Sequence, residues 1–153
     1  MAAHNIFISH RYEDEGLIAE LKSMLASAGA EVRDSSMTSA NPNDAHNEEY
    51  IKSLLRSRID WAGKIVVIVS PETHRHEWVD WEIDYARKFP DKRIIGVFAP
   101  GVTTDDLPEG LEDYANSIVN WDAGAIVDAL ENDRWTDPDG GPTAPHDIPR
   151  APC

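Results

Sequence analysis

Residues 64–89 of the chain have the sequence KIVVIVSPETHRHEWVDWEIDYARKF, in which two different periodicities follow one another. The first part, Lys64–Val69, is a short β-branched apolar run that is typical of a buried parallel strand. Pro71 ends that run. From about Glu77 onward, apolar residues recur at roughly 100° per residue, the period of an α-helix. The stretch therefore predicts a strand, a loop and a helix in succession, which is the unit of a parallel sheet covered by helices.

Glu82 occupies an unusual place on this predicted helix. A helical projection puts the aromatic residues on one side: Trp78, Trp81, Tyr85 and Phe89. Glu82 projects into the same apolar arc, between Trp78 and Ala86. Because burial of an unpaired carboxylate is costly and raises its pKa by up to ~3–5 units, the position needs an explanation. Two interpretations stay open: Glu82 reaches the rim and pairs with an arginine or histidine, or it is a functional carboxylate at the wall of a cleft.

Length and composition indicate one globular domain. The chain has 153 residues, of which 41% are hydrophobic and 27% charged, so it can bury a substantial core. Its net charge of −14 argues against binding a nucleic-acid backbone or an anionic membrane. A small anionic ligand stays compatible with that charge, because local charges govern a pocket.

The single cysteine, Cys153, excludes an internal disulfide and fits a reducing compartment. No apolar run approaches the ~20 residues that a membrane-spanning helix needs. The N-terminus leads almost directly into a strand and lacks the pattern of a signal peptide. These observations predict a cytoplasmic location.

Strands and helices are predicted to alternate along the whole chain. The other predicted strands are residues 4–9, 31–33, 93–98 and 117–120, and the other helical segments are 17–28, 51–58, 111–115 and one capped by Asp122. We therefore predict an α/β, flavodoxin-like domain of three layers with a five-stranded parallel sheet in the order 2-1-3-4-5. The domain is expected to span residues 1–135. The Pro- and Gly-rich residues 136–153 are expected to form a disordered tail.

Sheets of this order bind ligands beyond the carboxyl ends of their strands, at the switch point between strands 1 and 3. The segment Ser9-His10-Arg11 and the residue Ser70 follow those two strands, and Glu82 lies on the helix that leaves the second. The long segment 34–47 emerges at the same edge and is longer than ordinary connections. His10, Arg11, His74 and Arg75 belong to loops at this edge and are candidates for holding a phosphate-bearing ligand. The alternative is that they belong to a solvated loop surface.

Several common chemistries lack their sequence signals. The loop after strand 1 has no glycine-rich phosphate cradle, and neither GxGxxG nor GxxxxGK[ST] occurs. Ser70 stands where a phospho-accepting receiver would carry aspartate, and neither Ser9 nor Ser70 lies in a GxSxG motif. His46, His74 and His76 have no spacing typical of a zinc site, so no metal site is predicted.

Two segments of the chain resemble the conserved motifs of TIR domains. Residues 7–14, FISHRYED, resemble the FxSxRxxD opening of that family, and Val69-Ser70-Pro71 followed by residues 77–82, EWVDWE, resembles its SP…SxWxxxE segment. The resemblance covers about residues 4–130. Within the TIR family, the chain most resembles the TIR-like component of bacterial Thoeris antiphage systems. Tyr12 departs from the glycine common in the family, and Asn41-Pro42-Asn43 replaces a proline–glycine signature.

The resemblance implies an enzyme that cleaves NAD at the nicotinamide–ribose bond and uses Glu82 as its catalytic glutamate. It implies that Ser9, His10, Arg11, Ser70 and Trp78 bind the substrate, without a metal or a separate cofactor. It further implies a cyclic ADP-ribose isomer as product, a partner effector that this messenger activates, a phage-derived trigger and homo-oligomeric assembly. Two alternatives remain at this point: a non-catalytic TIR-like assembly module, and an enzyme related to nucleoside deoxyribosyltransferases.

Overall fold

The structure is a computed structural model and describes residues 4–9, 15–30, 32–34, 48–70 and 77–141. Its strands are β1 His4–Ser9, β2 Val32–Asp34, β3 Lys64–Val69, β4 Arg93–Phe98 and β5 Ser117–Val119. Its α-helices are α1 Glu15–Ser27, α2 Glu48–Trp61, α3 Glu77–Ala86, α4 Glu109–Tyr114 and α5 Ala123–Glu131. Within the described ranges, no helix combines the length and apolarity that crossing a bilayer requires.

All five strands form one parallel sheet in the order β2-β1-β3-β4-β5, which confirms the predicted topology. Helices α1 and α5 contact each other, and α3 packs between α2 and α4. The two helix groups cover opposite faces, as right-handed crossovers require on either side of the switch point between β1 and β3. The domain therefore has three layers, and the strand order changes direction at the switch point between β1 and β3.

The core of the domain is centred on β3. Its residues Ile65–Val69 are completely buried, as the short β-branched run predicts for a strand covered on both faces. Gly96 of the neighbouring strand β4 permits close packing from α4. A Cβ atom at Gly96 would lie 2.8 Å from Cδ2 of Leu111, which is closer than real contacts allow.

Two helix ends follow the capping chemistry of the sequence. Gly29 has a φ of 88°, and it follows α1 with two hydrogen bonds, from Ala30 N to Leu25 O at 2.9 Å and from Gly29 N to Ala26 O at 3.0 Å. This is the Schellman pattern, in which glycine takes the left-handed position. At α5, Asp122 Oδ2 accepts a hydrogen bond from Ala125 N at 2.9 Å, which confirms the predicted N-cap.

The chain after α5 returns to the sheet beside β5. Trp135 forms a parallel bridge with Ile118, and Thr136 is only 4% exposed. Thr136 N donates to Ile118 O at 2.8 Å, and Asn120 N donates to Thr136 Oγ1 at 2.9 Å. The domain boundary at residue 135 stays a prediction, but the described residues 136–141 begin with a packed position that the Pro- and Gly-rich composition does not predict. Residues 142–153 of the predicted tail lie outside the described residues.

Candidate functional site

Helix α3 buries a carboxyl group within its core-facing side. Val79, Ile83 and Ala86 on this side are at most 1% exposed, and Glu82 between them is 6% exposed. These positions recur at the i, i+3, i+4, i+7 spacing of one helix face. The sequence-based placement of Glu82 inside the apolar arc is therefore confirmed for the described side chains.

The aromatic residues of α3 lie to one side of that buried face, toward α2. Trp81 and Tyr85 are half-buried, with stacked rings whose centroids are 5.6 Å apart. Tyr85 Oη donates to Asp60 Oδ1 of α2 at 2.8 Å, and Arg56 of α2 lies 5.8 Å from the Trp81 ring. The described aromatic rings thus join α3 to α2, while small and branched residues flank Glu82 on the core-facing side.

Ser9 is the described partner of Glu82. The Oγ atom of Ser9 donates a hydrogen bond to Oε1 of Glu82 at 2.6 Å, and Ser9 is completely buried. This distance is typical of a hydroxyl bound to a carboxylate. The bond connects the last residue of β1 to the middle of α3, so both elements are needed to form it.

The fold places Ser9 and Glu82 at about the same distance from the carboxyl edge of the sheet. Glu82 is five residues after the start of α3, which places its Cα about 7.5 Å along the helix from that end. Ser9 pairs with Val67, which stands two residues, about 7 Å, before the end of β3. Because α3 returns antiparallel to the strands, the side chains of Ser9 and Glu82 meet below the carboxyl edge of the sheet, beside the switch point.

Burial controls the ionisation of Glu82. Desolvation is the larger cause and raises the pKa of Glu82 from 4.5 to about 8, while the hydrogen bond from Ser9 acts in the opposite direction. At neutral pH the isolated chain therefore holds this carboxyl mainly in its protonated form. A nearby positive charge on a ligand would lower the pKa and favour the carboxylate. Such a group is suited to stabilise a cation that enters the site.

The other predicted site residues are placed only in part. Ser70 follows β3 directly and is 1% exposed, at the same edge of the sheet as Ser9. The backbone of Trp78 belongs to α3, but its side chain lies outside the described part of the structure. His10 and Arg11 also lie outside it, as does the long segment 35–47. The structure therefore brings Ser9 and Glu82 into contact, and the positions of the two cations stay a prediction.

Among the described side chains, no group of three or more His, Cys, Asp and Glu residues is arranged to hold a metal ion. The three histidines considered as ligands in the sequence, His46, His74 and His76, lie outside the described residues. The expectation that no metal site exists therefore stays a prediction.

Comparison with known proteins identifies the family. A family profile described as "Thoeris protein ThsB, TIR-like domain" matches residues 7–104, which include the last three residues of β1, all of β3 and α3, and thus the Ser9–Glu82 pair. The chain belongs to the Thoeris ThsB TIR-like family. This assignment agrees with the parallel sheet and its strand order. No protein of curated function has a sequence that matches this TIR-like domain significantly.

One solved structure with a similar fold is described as "Structure of the activated Roq1 resistosome directly recognizing the pathogen effector XopQ (TIR domains)". The TM-score is 0.43 at 20% sequence identity, with 63% of this chain and 57% of that chain covered. The TIR-like domain thus spans less than two thirds of that chain. At this TM-score the similarity adds nothing to the fold assignment, which rests on the sheet and the family match.

Proposed function

We propose that this TIR-like domain cleaves NAD at the bond between nicotinamide and ribose, with Glu82 as the catalytic residue. The observation that carries the proposal is the buried carboxyl of Glu82, held by Ser9 beside the switch point of a Thoeris TIR-like domain. A free energy of folding of only ~5–15 kcal/mol makes an unused buried carboxyl an expensive feature. Strongly shifted carboxyl groups beside a ligand edge are typical of functional sites.

The positive charge of NAD explains how a carboxyl with a raised pKa becomes useful. The nicotinamide ring of NAD is a pyridinium cation, and its approach favours the ionised form of Glu82. The electron pair of the bond between ribose C1′ and the ring nitrogen then leaves with nicotinamide. The ribose becomes an oxocarbenium-like cation, which the carboxylate stabilises while it accepts hydrogen bonds from ribose hydroxyl groups.

The fate of this cation decides the product. Attack by water gives ADP-ribose, whereas attack by a nucleophilic atom of the same ADP-ribose gives a cyclic isomer. Either route releases one proton, for which the carboxylate is a suitable acceptor. The core-facing side of α3 is apolar around Glu82, which reduces access of water and favours the internal nucleophile. We therefore propose a cyclic ADP-ribose isomer as the product.

The other groups at the edge of the sheet have proposed binding roles. Arg11 and His10 follow β1 in the sequence and would bind the phosphates of the dinucleotide. Ser70 would line the floor of the site, and Trp78 would pack beside the nicotinamide ribose. We propose that no metal or additional cofactor is needed, because NAD itself supplies the leaving group.

The proposed product defines the wider role. A diffusible cyclic nucleotide is suited to activate a separate effector protein as an antiphage signal in the cytoplasm. We further propose that the active form is a homo-oligomer and that a phage-derived trigger promotes its assembly. The family assignment supports a role of this kind in a defence system.

A direct test incubates the full chain with NAD and resolves the products by chromatography and mass spectrometry. Nicotinamide in equal amount to a product isobaric with cyclic ADP-ribose is the expected result. Nicotinamide with ADP-ribose alone would support the proposed cleavage of NAD and contradict the proposed cyclisation of the product. Parallel samples with a 2′-deoxynucleoside and a free base test the alternative activity, transfer of deoxyribose between bases as in nucleoside deoxyribosyltransferases. Absence of all products at high enzyme concentration and with lysate of infected cells would favour the non-catalytic assembly module.

A further inference from the structure

Ser9 has a single hydroxyl proton, which it donates to Glu82 in the structure. The donor distance is 2.6 Å, and the serine is completely buried. A phosphate group offers only acceptor oxygens, so this hydroxyl has no second proton to donate to one. The described geometry therefore makes Ser9 poorly suited to bind the phosphates of a dinucleotide.

Ser9 is well suited to fix the orientation of the carboxyl group. It ends β1, a strand paired with β2 on one side and β3 on the other, so its backbone is anchored within the sheet. A carboxyl group has two oxygens, and a bond to Oε1 restricts rotation about the last bond of the side chain. Such a restriction directs Oε2 in one direction relative to the sheet.

We propose that Ser9 is a positioning residue, whose hydroxyl holds Oε1 of Glu82 so that Oε2 faces the substrate. A hydrogen bond of this kind also favours the ionised form of a carboxyl group. The identity of the substrate rests on the proposed function, but the contact between Ser9 and Glu82 belongs to the chain itself. The effect on ionisation is consistent with the opposing influences on the pKa of Glu82, raised by burial and lowered by the Ser9 hydroxyl.

Other charged groups near α3 form the electrostatic background in which Glu82 titrates. On α3 itself and on the neighbouring helices and turn, the described groups that are exposed or half-exposed include Asp80, Asp84, Arg87, Arg56, Asp60 and Asp113. Arg87 binds Asp84, and Asp60 accepts from Tyr85, so these pairs lie along the outer sides of α3. His10, Arg11 and residues 72–76 lie outside the described part. The test must therefore compare variants within one chain, where this background is constant.

The experiment compares Ser9→Ala with a matched control, Ser117→Ala. Ser117 is also completely buried in a strand, and its Oγ donates to Asn132 O at 2.9 Å, far along the sheet from Glu82. The free energy of unfolding is measured from pH 5 to pH 9 for wild type and each serine variant, with and without Glu82→Gln. The pH-dependent difference that Glu82→Gln makes in each background reports the pKa of Glu82. Turnover of NAD is measured over the same pH range.

The proposal expects Ser9→Ala to raise the pKa of Glu82 by about one unit, since a hydrogen bond that favours the charged form is lost. At pH 7, kcat/KM for NAD should fall about tenfold, and the acidic limb of the pH profile of kcat/KM should move upward by about one unit. Ser117→Ala should leave the titration of Glu82 and the pH profile unchanged. If Ser9→Ala does not fold, Ser9→Cys is the second variant, because a thiol of similar size is a weaker donor.

An unchanged titration of Glu82 in Ser9→Ala or Ser9→Cys would overturn the proposal. A raised KM with unchanged kcat and pH profile would also overturn it, and would assign Ser9 to direct substrate binding. If wild type cleaves no NAD, the proposed function fails, while the unfolding titration still decides whether Ser9 controls the ionisation of Glu82.

Discussion

Ser9 Oγ and Glu82 Oε1 are 2.6 Å apart, which joins residues 73 positions distant in the chain. One lies at the end of the strand beside the switch point, and the other lies on the helix that follows the central strand. The bond satisfies one oxygen of a carboxyl that is 6% exposed. A titrating group is therefore built into the packed layer between sheet and helix, where its ionisation affects the stability of the fold.

The stability of the domain should fall as the pH rises through the range in which Glu82 titrates. In the unfolded chain this carboxyl ionises near pH 4.5, whereas in the folded chain burial raises its pKa to about 8. The folded state therefore holds the proton more tightly, so the contribution of Glu82 is complete below pH 4.5 and is lost progressively up to about pH 8. At 1.36 kcal/mol per pKa unit, the loss is about 5 kcal/mol at most. Urea unfolding from pH 5 to pH 9 measures it.

The control for this prediction is Glu82→Gln, which keeps the shape of the side chain and an oxygen acceptor for Ser9. The variant should gain stability relative to wild type as the pH rises, by several kcal/mol at pH 9 compared with pH 5. The difference between the two proteins cancels the many other carboxyl groups of this acidic chain. Parallel curves for both proteins across the whole range would show that Glu82 titrates as an ordinary exposed carboxyl.

The strands, the helices and the central carboxyl could be predicted from the sequence because they depend on local periodicity. The strand β3, Lys64–Val69, and the start of α3 at Glu77 agree with the apolar run and the helical spacing. The position of Glu82 on the buried face follows from the same spacing. Strand order follows from general rules of handedness and chain connection.

The contact between Ser9 and Glu82 could not be derived from the sequence, although both residues are candidates there. A hydrogen bond across 73 residues depends on the register between β1 and β3 and on the depth of Glu82 along α3. The packed position of Thr136 has the same cause. Its partners are Ile118, the middle residue of β5, and Asn120, which directly follows β5, and no local sequence pattern predicts a pairing with them.

Truncation at the C-terminus should separate residues that pack from residues that do not. Removal of residues 136–153 deletes Thr136, whose backbone and hydroxyl bind Ile118 and Asn120. At ~1 kcal/mol for each lost hydrogen bond, we expect a loss of about 1–3 kcal/mol and a Tm lower by several degrees. Removal of residues 142–153 alone should leave the Tm unchanged. Equal melting curves for both truncated chains and wild type would show that Thr136 adds no stability.

Binding of NAD should release a proton near neutral pH. Glu82, with its pKa raised to about 8, is mainly protonated in the free chain at pH 7, and the pyridinium charge of NAD favours its ionisation. Calorimetry in buffers of different ionisation enthalpy measures this release, with a carbocyclic NAD analogue that cannot be cleaved. We expect release of close to one proton, and none in Glu82→Gln. Equal release by both proteins would assign the proton to another group.

Assembly should control activity if the site is shared between copies of the chain. The segment 34–47 is long and is predicted to emerge at the ligand edge, where a neighbouring copy would complete the site. Activity is then expected to rise faster than linearly with enzyme concentration, or to appear only with a trigger, because the shared site exists only in the assembled fraction. Substitution of Pro42 or Asn43 should lower activity with an unchanged Tm. Linear activity at concentrations where light scattering shows monomers would contradict a shared site.

The rate of nicotinamide release by Glu82→Gln, measured at the pH of maximal wild-type activity, tests the central claim most directly. The matched control is Asp84→Asn, which removes an exposed carboxyl of the same helix that binds Arg87. The account predicts that Glu82→Gln lowers the rate by at least about 100-fold, as loss of a group that stabilises transition-state charge does. The variant should remain folded with an equal or higher Tm, and Asp84→Asn should keep the wild-type rate. A folded Glu82→Gln protein that releases nicotinamide at the wild-type rate would contradict the account.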